Sequence, residues 1–418
     1  MPDSEPSLSI ITPSLNHSAY IRMTIQSVFD EGYPNVEHIV VDGGSTDGTV
    51  EILGEYGQRY PGRFRWVSEP DSGQGDAFNK GLAMARGDVI GWQNSDDYYL
   101  PGAFAGPLDL MRTKPDVAVV YSSCVTVDAS GHRTGQGLLP TGVFDAARLL
   151  GSCYISNQAA FVRRDALLAV GGLDTSLRYV MDWDLWLRLA PSHQFQYLPG
   201  VRGAYRILPT AKTHEGLLAS RLEGVRIVDR ALTAANVPTS VTAAGRISLQ
   251  QHLLDALQIA LALGEQRHSR EVLRRLASDY GSDIDWRYFC RRLQMRRVMT
   301  DLWYGRVESD SVSPVPIRAL RLLDEFDNVG RCGRRRLVAL TMMFAAMDEL
   351  AEHAHGPSLR AFPYVVRALQ ADRAMMSYPG TYVAMLRLLL GNGAVDRLAP
   401  LFLTMRTLGA MRQRVPWL

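Results

Sequence analysis

The sequence predicts an α/β first half, a Rossmann-type, mostly parallel sheet flanked by helices, followed by an all-α second half. Three observations predict it. Over residues 8–93, short β-branched runs alternate with helical stretches of about a dozen residues, the pattern of βαβ units. After about Glu215 the strand patterns stop and apolar residues recur at three and four, as in Leu253, Leu254, Leu257 and Leu261. At 418 residues the chain is long for one domain. The expected division is therefore 1–214 and 215–418.

Leu8 to Thr12 is the first expected strand, closed by Pro13, which cannot donate to a ladder. A helix follows over about Ala19 to Asp30. Glu37 to Asp42 is the second strand, and it breaks into Gly43-Gly-Ser-Thr-Asp-Gly48. Glycines there let backbone N–H groups approach a ligand, and Thr46 or Asp47 can cap a helix running to Tyr60. Phe64 to Ser68 is a third strand, Gln74 to Arg86 a helix, and Asp88 to Gln93 a fourth strand. Val117 to Val127 and Ala159 to Val162 are further strands. Asp182 to Leu189 is a short amphipathic helix, and Phe195 to Leu198 with Val201 to Arg206 read as edge strands. Roughly seven to nine helices follow from the periodicity beyond Glu215, with no repeat pointing to a solenoid.

Hydrophobic content of 46% and charged content of 21% are those of a soluble globular protein. No apolar run reaches the length of a spanning helix, and the acidic N-terminus does not read as a signal peptide. Cys124, Cys153, Cys290 and Cys332 are scattered without a CxxC pair and are expected as buried free thiols in a reducing compartment. The net charge of +2 hides an asymmetry: residues 215–418 hold 28 Arg and 20 acids, against 17 bases and 23 acids before them. The basic half could face a phosphate-bearing partner or an anionic membrane surface, or simply carry solvated Arg.

The chemistry concentrates where strands end. Strands one, two and four finish in polar residues: Thr12 to Asn16, Asp42 and Asp96. In open α/β sheets ligands bind at such carboxyl ends. Asp96 and Asp97 follow the apolar run Val89 to Trp92, so they are expected to emerge at the strand end, since adjacent carboxylates are not buried without partners. They repel unless something positive lies between them and a ligand, and a divalent cation on a diphosphate suits that place. A helix N-cap is the structural alternative. Other motifs fall away. Gly73-Gln-Gly-Asp-Ala-Phe78 lacks the third glycine of a dinucleotide fingerprint. There is no P-loop and no nucleophile elbow. His17, His38 and His193 lack ligand spacing and read as surface or satisfied histidines.

What remains resembles a family 2 glycosyltransferase with the GT-A fold over residues 8–214. The resemblance rests on Ser9-Ile-Ile-Thr-Pro-Ser-Leu-Asn16, His38-Ile-Val-Val-Asp-Gly-Gly-Ser-Thr-Asp-Gly-Thr49, Ser68-Glu-Pro-Asp-Ser-Gly73, Asp76-Ala-Phe-Asn-Lys-Gly81, Asn94-Ser-Asp-Asp97 and Met181-Asp-Trp-Asp-Leu-Trp186. Their order and spacing make it specific. It implies that Asp42 reads the nucleobase and that Thr12, Ser14 and Asn16 line the nucleotide, with Asp71 and Lys80 on the same side. It implies Asp96 at the ribose or donor sugar, Asp97 on the divalent cation (Mg²⁺ or Mn²⁺), and Asp182 as the base that takes the acceptor proton. Gln158, Trp183, Asp184 and Lys212 are placed on the acceptor side. Two departures stand out: Met181 where the family often has Glu, and Leu208 where it often has His, with Lys212 or His214 as substitutes. The expected activity is inverting, metal-dependent transfer from a nucleotide-diphosphate sugar to a glycan or lipid-linked acceptor. Nucleic acid is not expected as a partner. The expected location is cytoplasmic, including peripherally at the inner membrane face. The alternatives are a degenerate glycosyltransferase-like binding module and a sugar-1-phosphate nucleotidyltransferase, whose Gly-rich basic N-terminal loop Pro13-Ser-Leu-Asn16 does not match.

Overall fold

The computed structural model describes residues 5–138, 142–208, 216–234, 239–289, 292, 318–319 and 368. The chain divides into two compact units, Met1–Leu249 and Gln250–Leu418.

The first unit alternates strand and helix as expected: β1 (Leu8–Ser14), α1 (Ile21–Asp30), β2 (Val36–Asp42), α2 (Thr49–Arg59), β3 (Phe64–Ser68), α3 (Gln74–Met84) and β4 (Val89–Trp92). Then come β5 (Tyr98–Tyr99), α4 (Ala105–Thr113), β6 (Val117–Val127), β7 (Arg133–Leu138), α5 (Ala146–Gly151), β8 (Ala160–Arg163), α6 (Arg164–Ala169), α7 (Met181–Leu189), β9 (Gln194–Arg206) and α8 (Leu217–Thr233). The sheet runs β3-β2-β1-β4-β8-β6-β9-β5, with β7 beside β6. The β3-β2-β1-β4 block is parallel. Antiparallel β8 joins it to β6, which lies parallel to β9. Helix α8 belongs to this unit, so the compact unit runs past the division expected at 214.

Two expectations change. Pro13 does not close β1, which continues to Ser14. Ile11 C=O accepts from Gln93 N toward β4, and Ser14 C=O accepts from Gly43 N toward β2. The edges alternate along a strand, so Pro13 turns its missing donor toward β4, which has already ended at Trp92. The expected pair of edge strands over 195–206 is one strand, β9, held between β6 and β5, with register shifts accommodating Pro199-Gly200.

One core cluster packs Leu8, Ile10, Val28, Val89, Phe104, Val120 and Phe161, joining the parallel block to β6, β8 and α4. A second holds Ile21, Ile25, Val40, Leu53 and Phe64 under α1 and α2. Both faces of β1 and β2 are buried, as the continuous apolar strands of a parallel sheet require. Within the second unit, Leu253, Leu254 and Leu257 are buried on helix α9 (Thr239–Leu263), which begins in the first unit. Val272, Leu273 and Leu276 are buried on α10 (Gln266–Tyr280), which is amphipathic as the periodicity predicts.

Candidate active site

The carboxyl ends of β1, β2 and β4 share one edge of the sheet, and three groups of acids lie around it. At the end of β4, Asp97 turns inward and is 1% exposed. Its Oδ1 accepts from Arg206 N at 2.7 Å, and Oδ2 accepts from Gln158 Nε2 at 2.7 Å and Asn94 Nδ2 at 2.9 Å. Burial, then the neighbouring Asp96 charge, pushes its carboxyl up to about 7. Asp96 is half-buried, and its carboxylate has no hydrogen-bond partner among the described residues. This differs from the expectation that both acids emerge: only Asp96 does so in part, and Asp97 is interior. Asp97 is spent on three donors, and Asp96 is the carboxylate left open to a ligand. Arg206 holds the pair from behind. It is 2% exposed, donates through Nε to Asp96 C=O at 2.7 Å, and reaches Asp128 C=O and Ala129 C=O. Its guanidinium lies 4.8 Å from the Tyr20 ring centroid. The sequence marks this segment only through Leu208 standing where the family often has His; the fold is what brings Arg206 beside the acidic end of β4.

At the end of β2, Asp42 is fully buried and organises its own turn. Oδ2 accepts from Gly44 N at 3.1 Å, Ser45 N at 2.8 Å and Ser68 Oγ at 2.7 Å, while Oδ1 accepts from Ser45 Oγ. That is the turn-capping role available to any Asp before Gly-Gly. Ser14, paired with Asp42 across the β1–β2 ladder, is 5% exposed, and its Oγ has no partner among the described residues. Thr12 is interior, with its hydroxyl 2.9 Å from His38 Nε2. Burial holds His38 neutral, down to about 3. His38 is interior with Nδ1 lacking a partner among the described residues, while His17 Nδ1 lies 2.6 Å from Ser95 Oγ. Asn16, at φ 52°, accepts from Thr46 N and donates its own N–H to Ser45 Oγ, so it ties the β1 loop to the β2 loop. Asp71 caps Gly73 N at 2.8 Å. Its Oδ2 lies where a Cβ on Gly43 would meet it at 2.7 Å, so only glycine lets the two loops approach. Lys80 pairs with Glu69 at 2.9 Å and donates to Pro70 C=O at 3.1 Å, strapping the Asp71 loop to α3.

The third acid, Asp182, lies in the first turn of α7. It is half-buried, and Oδ1 accepts from Trp183 N at 2.8 Å. Burial pushes its carboxyl up to about 6, which places it near the working range of a general base. Cys153 Sγ donates to Oδ2 at 3.8 Å. Cys124 is buried as expected, but Cys153 opens to solvent; Cys290 and Cys332 lie outside the described residues. Helix α3 links this acid to the pair on β4. Gln74 Nε2 donates to Asn94 Oδ1 at 2.8 Å, and the next residue, Gly75, abuts buried Met181, where an added Cβ would come 3.1 Å from Sδ.

The acceptor-side expectations change. Gln158 is committed to Asp97. Trp183 is buried and donates through Nε1 to Leu149 C=O at 2.6 Å. Asp184 is 1% exposed and bound by Arg188 and Arg230. Trp183 and Asp184 are interior because α7 packs onto α5 and α8, and Gln158 is interior in the turn before β8. Lys212 and His214 lie outside the described residues. Leu208 is buried. Among the described residues no three His, Cys, Asp or Glu converge on a metal position. The acid pair offers hard oxygen donors but needs oxygens from a ligand to complete a cation's shell.

An α/β sheet of this order, with acids at one carboxyl edge and a separate raised carboxylate, has the GT-A architecture of a glycosyltransferase. The sequence profile of Glycosyl transferase family 2 matches residues 9–170. An uncharacterised glycosyltransferase of Mycobacterium tuberculosis is 32% identical over 190 residues, 45% of this chain and 70% of the relative. The chondroitin synthase of Escherichia coli is 29% identical over 193 residues, 46% of this chain but 28% of that enzyme. The mannosyltransferase of Pyrobaculum calidifontis, solved with GDP-Man and Mn²⁺, superimposes with a TM-score of 0.50 at 17% identity, covering 78% of this chain and 89% of that one. The chain belongs to glycosyltransferase family 2.

Proposed function

We propose that this glycosyltransferase moves a sugar, with inversion, from a nucleotide-diphosphate donor to a hydroxyl of a glycan or lipid-linked acceptor. The observation that carries the reading is the division of labour among the acids. Asp96 is open beside a saturated Asp97, while Asp182 stands on a different element with its carboxyl raised to about 6. Asp96 is the residue that would hold Mg²⁺ or Mn²⁺, whose chemistry is to offset charge on the leaving diphosphate. Asp97, Gln158 and Arg206 fix Asp96 in place. The orphaned Ser14 hydroxyl and the Asp42 and Asp71 loops supply the nucleotide side.

In the transfer, Asp182 accepts the acceptor hydroxyl's proton as that oxygen bonds to the anomeric carbon. The bond from that carbon to the diphosphate oxygen breaks on the opposite face. A carboxylate held near 6 is ionised at neutral pH yet basic enough to share the proton in the transition state. The name of the Pyrobaculum relative's ligands, GDP-Man and Mn²⁺, supports a nucleotide sugar and a divalent cation as the partners. The Arg-rich stretch 215–418 supports an anionic acceptor, including one presented at a membrane surface. Among the described residues no helix is long and apolar enough to cross a membrane. The Arg334-Arg-Arg336 cluster lies outside the described residues, and Arg292 is tied to Asp255.

Proton NMR of the product from an α-linked donor tests the reading. A β-linked product is expected, and an α-linked product would remove Asp182 from the role of base in a single displacement.

A further inference from the structure

Helix α8 follows the last recognisable motif and lies outside the profile match at 9–170. Its side chains nevertheless converge on the segment that carries Asp182. Glu223 spends both carboxylate oxygens on backbone donors just before α7: Oε1 accepts from Arg178 N at 2.9 Å and Oε2 from Tyr179 N at 2.8 Å. Both N–H groups belong to the segment leading into α7, just before its N-cap residue Val180, so Glu223 holds the approach to the helix. Beside it, Gly224 meets the Trp183 ring, where an added Cβ would lie 3.1 Å from Cζ3. Arg230 then bridges two carboxylates, Asp174 at 2.9 Å and buried Asp184. Asp184 is also bound by Arg188 at 2.8 Å, and Arg188 in turn donates to Val170 C=O and Gly172 C=O.

These contacts enclose Asp182 in sequence. Arg178 and Tyr179 lie before it, and Trp183 and Asp184 after it. A buried carboxylate such as Asp184 is stable only with its partners, so the rotation of α7 about its axis is set by Arg230 and Arg188. The path of the chain into α7 is set by Glu223. Asp182 itself has one firm hydrogen bond, to its neighbour Trp183 N, and does not fix its own position.

We propose that Glu223 and Arg230 of helix α8 are positioning residues that hold the Asp182 carboxylate in its reactive place. The proposal rests on the reading of Asp182 as the base. It assigns a role in the chemistry to a helix that carries none of the family motifs. The geometry of proton transfer is sensitive: a displacement near 1 Å costs about 100-fold in rate.

Cys153 makes the proposal testable without knowledge of the acceptor. The residue reaches solvent, and its thiol sits 3.8 Å from Asp182 Oδ2. Surrounding protein bulk and then the Asp182 charge hold that thiol well above its ordinary range. Moving the carboxylate away frees the thiolate, so alkylation reports where Asp182 is.

The experiment compares the full chain with Glu223→Ala, Glu223→Gln, Arg230→Met, Arg230→Lys and Asp182→Asn. Iodoacetamide labelling at Cys153 is followed by peptide mass spectrometry, with buried Cys124 as the control for intact folding. Nucleotide release is measured on the UDP- or GDP-sugar that the wild-type chain turns over fastest, and UDP and GDP affinity with Mn²⁺ by calorimetry. The expected result is that Glu223→Ala and Arg230→Met speed Cys153 labelling severalfold over wild type, because a carboxylate moved off the thiol no longer disfavours the thiolate. The same variants lower kcat about 100-fold while nucleotide affinity holds. Arg230→Lys, which keeps a cation beside Asp184, recovers most of the rate, and Glu223→Gln, which keeps the volume and one acceptor, falls between. If the milder pair fold with Cys124 protected, and Cys153 labelling and kcat both stay at wild-type values across the set, the proposal is wrong. If Asp182→Asn turns over normally, the base reading fails instead. Labelling in the α8 variants then still decides whether α8 holds that carboxylate.

Discussion

Replacing Asp182 with Asn should make the protein more stable while removing its activity. Burial moves the Asp182 carboxyl from 3.8 to about 6. Each unit is worth 1.36 kcal/mol, so ionising it in the fold costs about 3 kcal/mol. The sign follows from proton linkage. Between pH of about 4 and 6 the folded chain keeps a proton that the unfolded chain has released, so stability falls as pH rises through that window. Above it the whole penalty persists. The amide of Asp182→Asn cannot ionise, and its oxygen can still accept from Trp183 N. The variant's advantage should therefore grow from about 1 kcal/mol at pH 4.5 to about 3 kcal/mol at pH 8. Urea unfolding at the two pH values measures it, and the change in midpoint at constant slope isolates stability. Turnover should fall by about 100-fold or more, the usual contribution of a general base. In the wild type, kcat should rise tenfold per pH unit below about 6 and level off above. A variant no more stable than wild type at pH 8 would refute the burial argument, and a flat rate profile from pH 4.5 to 8 would refute the base.

Three further outcomes follow from the site. Asp96→Asn should leave the melting temperature nearly unchanged and remove the effect of Mn²⁺ on nucleotide binding; retained Mn²⁺ dependence would return the cation to Asp97. Asp97→Ala should lower stability and nucleotide binding together, because it strands the Arg206, Gln158 and Asn94 donors, each at about 1 kcal/mol or more. A fold-neutral Asp97→Ala would contradict that network. Gly43→Ala places a Cβ 2.7 Å from Asp71 Oδ2, so nucleotide affinity should fall about tenfold by calorimetry; unchanged affinity would take Asp71 out of the nucleotide site.

The parallel block was legible because its signals are local. Apolar runs of four to seven residues, broken by Gly-Gly or Asp-Asp, mark β1, β2 and β4 as strands and place their polar ends on one edge. Asp182 was legible as a carboxylate at a helix start. What could not be read was which of two adjacent acids faces inward. That depends on β9, about 110 positions away, delivering Arg206 N to Asp97, and on Gln158 arriving beside β8. Trp183 and Asp184 look like a functional run in the sequence, yet α8 covers them, and helical periodicity alone does not say what a helix packs on. Pro13 misled for a similar reason: whether it ends a strand depends on where the neighbouring strand stops.

The central claim is that the open Asp96 at the end of β4 serves a cation-dependent nucleotide site. Titration calorimetry of the full chain with UDP, GDP and dTDP, with Mn²⁺ and then with chelator, tests it most directly. One nucleotide should bind with Mn²⁺ and lose at least about tenfold in affinity with chelator, and the same loss should appear in Asp96→Asn with Mn²⁺ present. Binding of none of the three, or equal binding with and without the cation, would contradict it.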